Sequence, residues 1–394
     1  MSANTFKPLQ QSKHVPVVDV LRGWALLGVV VMNYFDISQL VYPHESHQVL
    51  AEKIITGTTS VLFSSKSWTL LSFLFGYGFA VTMQHARETS ANGNVFFLKR
   101  MALLLLFALF NSMFFFGDIL KNYAVLGVLL LLFNKCSAKT SAYISALLFL
   151  LIPVLTALVP AIFGSVDLKT LSPYLPLFNS STLFDVLKFG LIGTWKGQVT
   201  DPNLAVTVHS IMFCCFLLGQ AAQKSDFFTS IENKPALLKR IWLISFTITI
   251  AGTTLSLIFS KPVFMKHYFD TDYCLVLITM VFIATSICRL YFNKKIMPLL
   301  VLLQPTGKMT LSSYMAQNII SLLLFSGFGL GTFITGTIPQ LYCYAIAIVI
   351  FVMQLHLNRW WLSNYYFGPV EWLWRRLSYG TTLPFKRSQT KSPA

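Results

Sequence analysis

The chain has 394 residues, of which 55% are hydrophobic and only 11% charged, against about 25% charged in an ordinary soluble domain. Repeated apolar runs of about 20 residues exclude a soluble globular fold and predict an all-α, polytopic transmembrane helix bundle. The net charge of +16 does not call for nucleic acid, because the basic residues follow the loops, as positive-inside sorting requires.

The first 15 residues are polar and lack a short apolar core with a small-residue cleavage site, so the first apolar run is expected to stay as a span. About ten spans follow: 17–36, 67–85, 98–117, 120–134, 141–163, 205–222, 237–260, 272–292, 309–331 and 338–358. The fourth is short. The stretch 50–63 is expected to lie on the surface or re-enter before the second span. A loop at about 164–204 contains the semi-apolar piece TLFDVLKFGLIGTW, expected to rest on the membrane surface. The domain reading is therefore an N-terminal segment 1–16, a bundle 17–358 and an interfacial helix with a basic tail, 359–394. Ten spans put both termini on one side. That side collects 22 of the 30 Lys and Arg residues, so both termini are expected to be cytoplasmic. The six cysteines are scattered, mostly within apolar runs, and no Cys/His spacing predicts a metal site.

The first span, RGWALLGVVVMNYFD, carries Asp19 and Arg22 at one mouth and Asn33 and Asp36 at the other. At 100° per residue, Arg22 and Asn33 differ by about 20° in azimuth, and Asp19 and Asp36 lie within about 60° of that line. The four form one polar stripe, with Arg22 and Asn33 about 16 Å apart along the axis. Facing lipid, the stripe would cost several kcal/mol, so it is expected to face the bundle. An interfacial Asp19–Arg22 pair plus a polar helix end is the plainer alternative.

Of the histidines, His14, His85 and His356 fall inside, and His44, His47, His209 and His267 fall outside or near the outer surface. Histidine suits a general base near neutral pH. His44 follows Asn33 by 11 residues in VYPHESH, with Glu45 beside it. A solvated loop histidine is its plainer reading, and His209 is the reserve. Lys66 and Asp118 share the outer side, where snorkelling and helix capping are their simpler roles. In the ninth span, Thr310, Tyr314, Gln317 and Ser321 fall on one stripe. They either glue helices together or line a lumen through Tyr314 and Gln317. FGYGF supplies a GxG without a preceding strand, so close helix packing explains it better than a dinucleotide site. In the tail, Pro369 starts a short helix, Glu371 and Arg375 are spaced for an i,i+4 pair, and Trp372 and Trp374 suit an interfacial anchor.

These motifs resemble the YeiB-like bacterial integral membrane family, nearly end to end. The resemblance rests on DVLRGWALLG (19–28) with Asn33, KSWTLLSFLFG (66–76), GDIL (117–120), GKMTLSSYMAQ (307–317) and GPVEWLWRRLS (368–378). The family is similar, at superfamily level, to transmembrane acyltransferases that take an acyl group from a cytoplasmic donor to an acceptor outside. In one branch an Arg of the first span is followed 11 residues later by a catalytic His; here Arg22 is followed by Asn33. Another branch keeps Asn there and its His 11 residues further on, which matches His44. YeiB-like proteins commonly carry a His in the third span, eight residues before the Asp of GDIL. Phe110 has that spacing here, and Asn111 matches after a one-residue deletion. Lys308 replaces a common Arg, keeping charge but losing bidentate phosphate binding.

The resemblance implies an acyltransferase of the bacterial inner membrane with no tightly bound cofactor or metal and with acyl-CoA as co-substrate. Its partners would be the bilayer, the donor and an envelope glycan or similar acceptor, and not nucleic acid. The expected roles are catalytic for His44, Asn33 and Asp118, and donor or substrate binding for Arg22, Lys66, Lys308, Tyr314 and Gln317. A transporter of a small polar or anionic solute would use the same stripe as its pathway. A non-catalytic membrane partner would need no such stripe.

Overall fold

The computed structural model describes residues 15–41, 50–89, 92–164, 168–259, 268–331 and 340–387. Among them, the only β-type pairing is an isolated antiparallel bridge between Tyr365 and Lys386, so the all-α expectation holds. The first helices are α1 (Pro16–Val41), α2 (Leu50–Leu62), α3 (Lys66–Glu88), α4 (Gly93–Ser112), α5 (Leu120–Leu130) and α6 (Ala138–Phe163). Then come α7 (Leu183–Thr194), α8 (His209–Lys224), α9 (Pro235–Ile258) and α10 (Asp272–Tyr291). The chain closes with α11 (Gln304–Lys308), α12 (Thr310–Phe325), α13 (Gln340–Asn364) and α14 (Pro369–Tyr379).

Local chemistry sets several of these boundaries. The Asn92 side chain accepts the Val95 N–H at 3.3 Å to start α4, and Ser137 Oγ accepts the Thr140 N–H at 3.1 Å to start α6. Pro235 and Pro369 open α9 and α14, where a missing N–H costs nothing. Gly380, at φ 67°, ends α14 in the left-handed conformation that only glycine adopts freely. Pro153 lies inside α6 and cannot donate to the Phe149 carbonyl, which accepts instead from the Cys274 thiol at 3.7 Å.

Among the described residues, seven helical stretches are long and apolar enough to cross a membrane: Pro16–Ser38, Gly93–Ser112, Ala138–Phe163, Leu204–Lys224, Pro235–Ile258, Asp272–Tyr291 and Tyr342–Asn364. The protein is therefore a membrane protein. The other three expected spans coincide with α3, which is long but more polar, and with the shorter apolar helices Leu120–Phe133 and Thr310–Phe325.

Burial separates centre from rim. The apolar window of α1 is 72% buried, that of α9 only 11%, so α1 is the axis and α9 presents its side chains to lipid. Around α1 pack α3, α11, α12 and α13. Close approach is possible because Gly23 backs onto the Leu303 carbonyl and Gly307 onto the main chain of Asp19. On the other flank α3 lies against α8 through Gly76, which meets the Phe216 backbone. The packing role read for FGYGF is thus realised.

Both surface segments pack on the bundle. The segment expected on the membrane surface, α7, buries Val186 and Phe189 and sets Gly190 and Gly193 against Ser112, Met113 and Phe116, while Phe184 and Leu191 stay exposed. The C-terminal α14 docks on α4 and α12, and Glu371 does not turn to Arg375. Its carboxylate accepts the N–H groups of Leu311 and Ser312 at 2.6 and 3.0 Å and the Ser312 hydroxyl. The start of α12 offers several aligned unsatisfied N–H donors, which outcompete one exposed ion pair.

Candidate functional site: two cavities meeting at Tyr314

The stripe on α1 opens into a cavity at each end. Near the start of α1, Arg22 lines a cavity of about 250 Å³, called inner after the expected topology, with Gly78 and Thr82 of α3, Arg100 of α4, Lys308, and Glu371, Trp374 and Arg375 of α14. Towards the end of α1, Asn33 and Asp36 line an outer cavity of about 400 Å³ with Ser65, Trp68, Gly117, Asn122 and Gln198. Among the described residues, Ile119 and Tyr314 alone belong to both walls.

The inner cavity is strongly cationic. Arg22 donates to the buried Asp19 carboxylate at 3.2 Å, which orients the guanidinium while leaving most of its five donors unused. Gly78 lies beside it, where a Cβ would stand in ordinary contact at 3.6 Å from Nη2. The Arg100 guanidinium lies 4.1 Å from the Trp374 ring centroid, and its Nε is buried with no hydrogen-bond partner among the described residues. Trp374 is fixed in turn by donating to the Arg100 carbonyl at 3.0 Å. The one carboxylate in the wall, Glu371, is committed to the start of α12. Burial pushes its pKa up, against the hydrogen bonds from Ser312 and Leu311 that pull it down. Four cations from four segments thus face a hollow whose only anion among the described residues is occupied elsewhere, which is the setting for a phosphate-bearing or carboxylate ligand.

The outer cavity is largely apolar, with a few polar groups set in its wall. Asn33 Nδ2 donates to Asn318 Oδ1 at 3.4 Å, leaving its second N–H unassigned. Ser65, on the wall, has φ 60°, a left-handed conformation costing about 1–2 kcal/mol in a non-glycine residue. Behind the wall, Asn111 Nδ2 donates to Asp118 Oδ1 at 2.7 Å, and Lys121 Nζ donates to the Asp118 carbonyl at 2.6 Å and to Gln198. Burial raises the Asp118 pKa, partly offset by Lys121 and by the Asn111 hydrogen bond.

Of the residues singled out in the sequence, Arg22 and Lys308 meet in the inner cavity, Asn33 lines the outer one, and Tyr314 joins them. Asp118 lines neither; it is fully buried beneath Gly117 and Ile119. Lys66 lies apart, in a polar surface hollow with Asp270 and Asp272, donating to the Ser60 carbonyl at 3.0 Å. Gln317 also lies outside both cavities, donating to Gln354 Oε1 at 2.8 Å, while Tyr34 donates to its carbonyl. That is the helix-gluing role rather than the lumen. His44 falls in 42–49, outside the described residues. The reserve, His209, lines neither cavity. Sequence reasoning missed Arg100, Arg375 and Gln198. Arg100 carried a signal, a cation inside an apolar run; the other two are brought in by packing alone.

The two positions weighed in the third span differ in burial. Phe110, at the spacing of the family's usual His, is 51% exposed and stacks edge-on against Phe114 at the rim. Asn111 is the buried residue that reaches Asp118.

Residues 222–381 match the model of a family described as protein of unknown function (DUF418). The chain is 26% identical to the uncharacterised protein YxaH of Bacillus subtilis, over 98% of this chain and 99% of that one. It is 23% identical to YeiB of Escherichia coli, also described as uncharacterised, over 92% and 95% of the two chains. The chain is thus similar to these two proteins over nearly its whole length, and to the DUF418 model over residues 222–381. A 39.9 kDa protein from the amylase 3' region of Bacillus acidopullulyticus is 23% identical over 96% of this chain and 97% of its own. No solved structure matches. The DUF418 region supplies Lys308, Tyr314, Glu371 and Arg375, whereas Arg22 and Arg100 come from the preceding half. The inner cavity is therefore assembled across the edge of the family match.

Proposed function

We propose that this YeiB-like protein is an acyltransferase of the bacterial inner membrane, moving an acyl group from a cytoplasmic thioester donor to an acceptor on the far side. The observation that carries the reading is the pair of cavities at opposite ends of the α1 stripe, one lined by four cations, with Tyr314 and Ile119 between them. With both termini cytoplasmic, the cationic cavity faces the side where acyl-CoA is made.

Arg22, Arg100, Lys308 and Arg375 hold the anionic part of the donor. The cavity of about 250 Å³ is smaller than the roughly 300–1,000 Å³ of pockets that enclose a whole drug-sized ligand, so it takes the acyl-bearing arm with the phosphates joined to it and leaves the base and sugar outside. The acceptor, a glycan hydroxyl or amine, occupies the outer cavity. Its oxygen or nitrogen attacks the thioester carbon; the new C–O or C–N bond forms, the C–S bond breaks, and the sulfur leaves with the electron pair. His44 takes the acceptor proton and passes it to the thiolate, and Asn33 donates to the developing oxyanion. Asp118, bound to Asn111 and facing Tyr314, is a positioning residue.

Purified protein mixed with radiolabelled acetyl-CoA tests this. Binding and slow hydrolysis, both lost in Arg22→Ala, support the enzyme. Failure to bind any acyl-CoA sinks it. A small-anion transporter is the second reading, because two cavities parted by a thin wall also describe a closed pathway. Flux of the anion through vesicles without thioester cleavage would favour it.

A further inference from the structure

We propose that Tyr314 is a catalytic residue of this transfer, its hydroxyl donating a hydrogen bond to the acyl carbonyl oxygen at the junction of the two cavities. The proposal rests on the acyltransferase reading and deepens it by placing the reacting carbon.

Donor and acceptor entering from opposite cavities meet only where the walls are shared. Among the described residues those shared positions are Ile119 and Tyr314. Ile119 offers an apolar side chain, so Tyr314 brings the only side-chain hydrogen-bond donor to the junction. The ring is 3% exposed, and a positioned donor held away from bulk water stabilises developing charge most strongly. The hydroxyl oxygen accepts a long hydrogen bond, 3.5 Å, from the Ile119 N–H, and it faces Asp118 and Asn318. Asn318 also accepts from Asn33 at 3.4 Å. Asn318 therefore lies beside both groups assigned to the oxyanion, accepting from Asn33 of the outer wall and neighbouring Tyr314 at the junction. As the acceptor's bond to carbon forms and the C–S electron pair leaves with the sulfur, negative charge builds on the carbonyl oxygen. Tyr314 and Asn33 share it as a two-donor oxyanion hole, and neither gives up its proton.

The test separates chemistry from packing. Purified Tyr314→Phe keeps the ring and the partition. It is expected to bind radiolabelled acetyl-CoA with unchanged Kd while saturating release of free thiol falls about 10²- to 10³-fold, the loss seen when one oxyanion donor is removed. Wild-type turnover in Tyr314→Phe overturns the proposal, as does a loss confined to donor affinity. Should that variant fail to melt cooperatively, a trifluorotyrosine at position 314 keeps the hydroxyl and lowers its pKa. A shifted pH profile of turnover then supports the role, and an unshifted one overturns it. Wild-type protein that binds no acetyl-CoA defeats the acyltransferase reading and this proposal with it, whereas a binding wild type with an unaffected Tyr314→Phe defeats this proposal alone.

Discussion

Asn111 and Asp118 are both fully buried, and the amide of the first donates to the carboxylate of the second at 2.7 Å. Removing the donor strands a buried acceptor, so Asn111→Ala is expected to cost about 1–3 kcal/mol, read as a lowered melting temperature. Asp118 sits in the turn between α4 and α5 with its pKa raised, burial outweighing Lys121 and Asn111. A raised folded pKa means that the protonated form is favoured on folding. Its contribution is present below the unfolded pKa and lost as pH rises through the folded value. Melting temperature should therefore fall as pH rises through that window, and Asp118→Asn should flatten the dependence. Phe110→Leu, one residue from Asn111 but at the exposed rim, should stay within about 0.5 kcal/mol of wild type.

That contrast marks how far the sequence could be read. Counting 100° per residue aligned Arg22 with Asn33, and the two do line successive cavities, because a single straight helix preserves its azimuths over three turns. Counting along the chain failed where the fold adds a turn of its own. Spacing from Asp118 left Phe110 and Asn111 both open, and because residues 113–117 leave the helix before the aspartate, the one that reaches Asp118 is Asn111. Tyr314 was legible as a polar position on the ninth span; its place between two cavities depends on Ile119, almost 200 residues away in sequence. Gln317 sits one turn further along the same stripe and faces α13 instead, so a shared stripe did not mean a shared surface. Arg375 looked like half of an ion pair until the start of α12 took its carboxylate.

The cationic inner cavity predicts a charge signature in donor binding. Arg100→Gln, Lys308→Gln and Arg375→Gln should each weaken acetyl-CoA binding by about tenfold, a little over 1 kcal/mol per lost charge-assisted contact. Raising ionic strength should weaken binding to wild type more than to these variants. Lys66→Gln is the control: its ammonium occupies a different hollow, and an isotherm disturbed as much as by Lys308→Gln would contradict the assignment of the cavity.

Glu371 ties the C-terminal helix to the bundle by capping α12. Glu371→Ala should cost about 1–3 kcal/mol and release α14, carrying Arg375 and Trp374 out of the inner cavity. Protease cleavage within 365–387 and weaker donor binding should appear together in this variant. Glu371→Gln keeps an acceptor oxygen and sheds a charge that burial disfavours, so it should lie between wild type and Glu371→Ala. If Glu371→Ala leaves the tail as protected as wild type, the cap does not hold α14.

The crossing of α1 with α11 gives the sharpest steric prediction. A Cβ on Gly307 would overlap the carbonyl and Cα of Asp19, and main chain inside a packed helix cannot rotate aside as a side chain can. Gly307→Ala must push the two helices apart, at about 1–3 kcal/mol for the strain. Asp19 orients Arg22 at 3.2 Å, so the same displacement should lower acetyl-CoA affinity although residue 307 carries no charge. Gly57 on α2 provides the comparison, because a Cβ there meets nothing within 4 Å. Gly57→Ala should leave donor binding unchanged and raise stability by about 0.5–1 kcal/mol through helix propensity. Equal melting temperatures and equal isotherms for the two variants would show that the Asp19–Gly307 contact does not fix the position of Arg22.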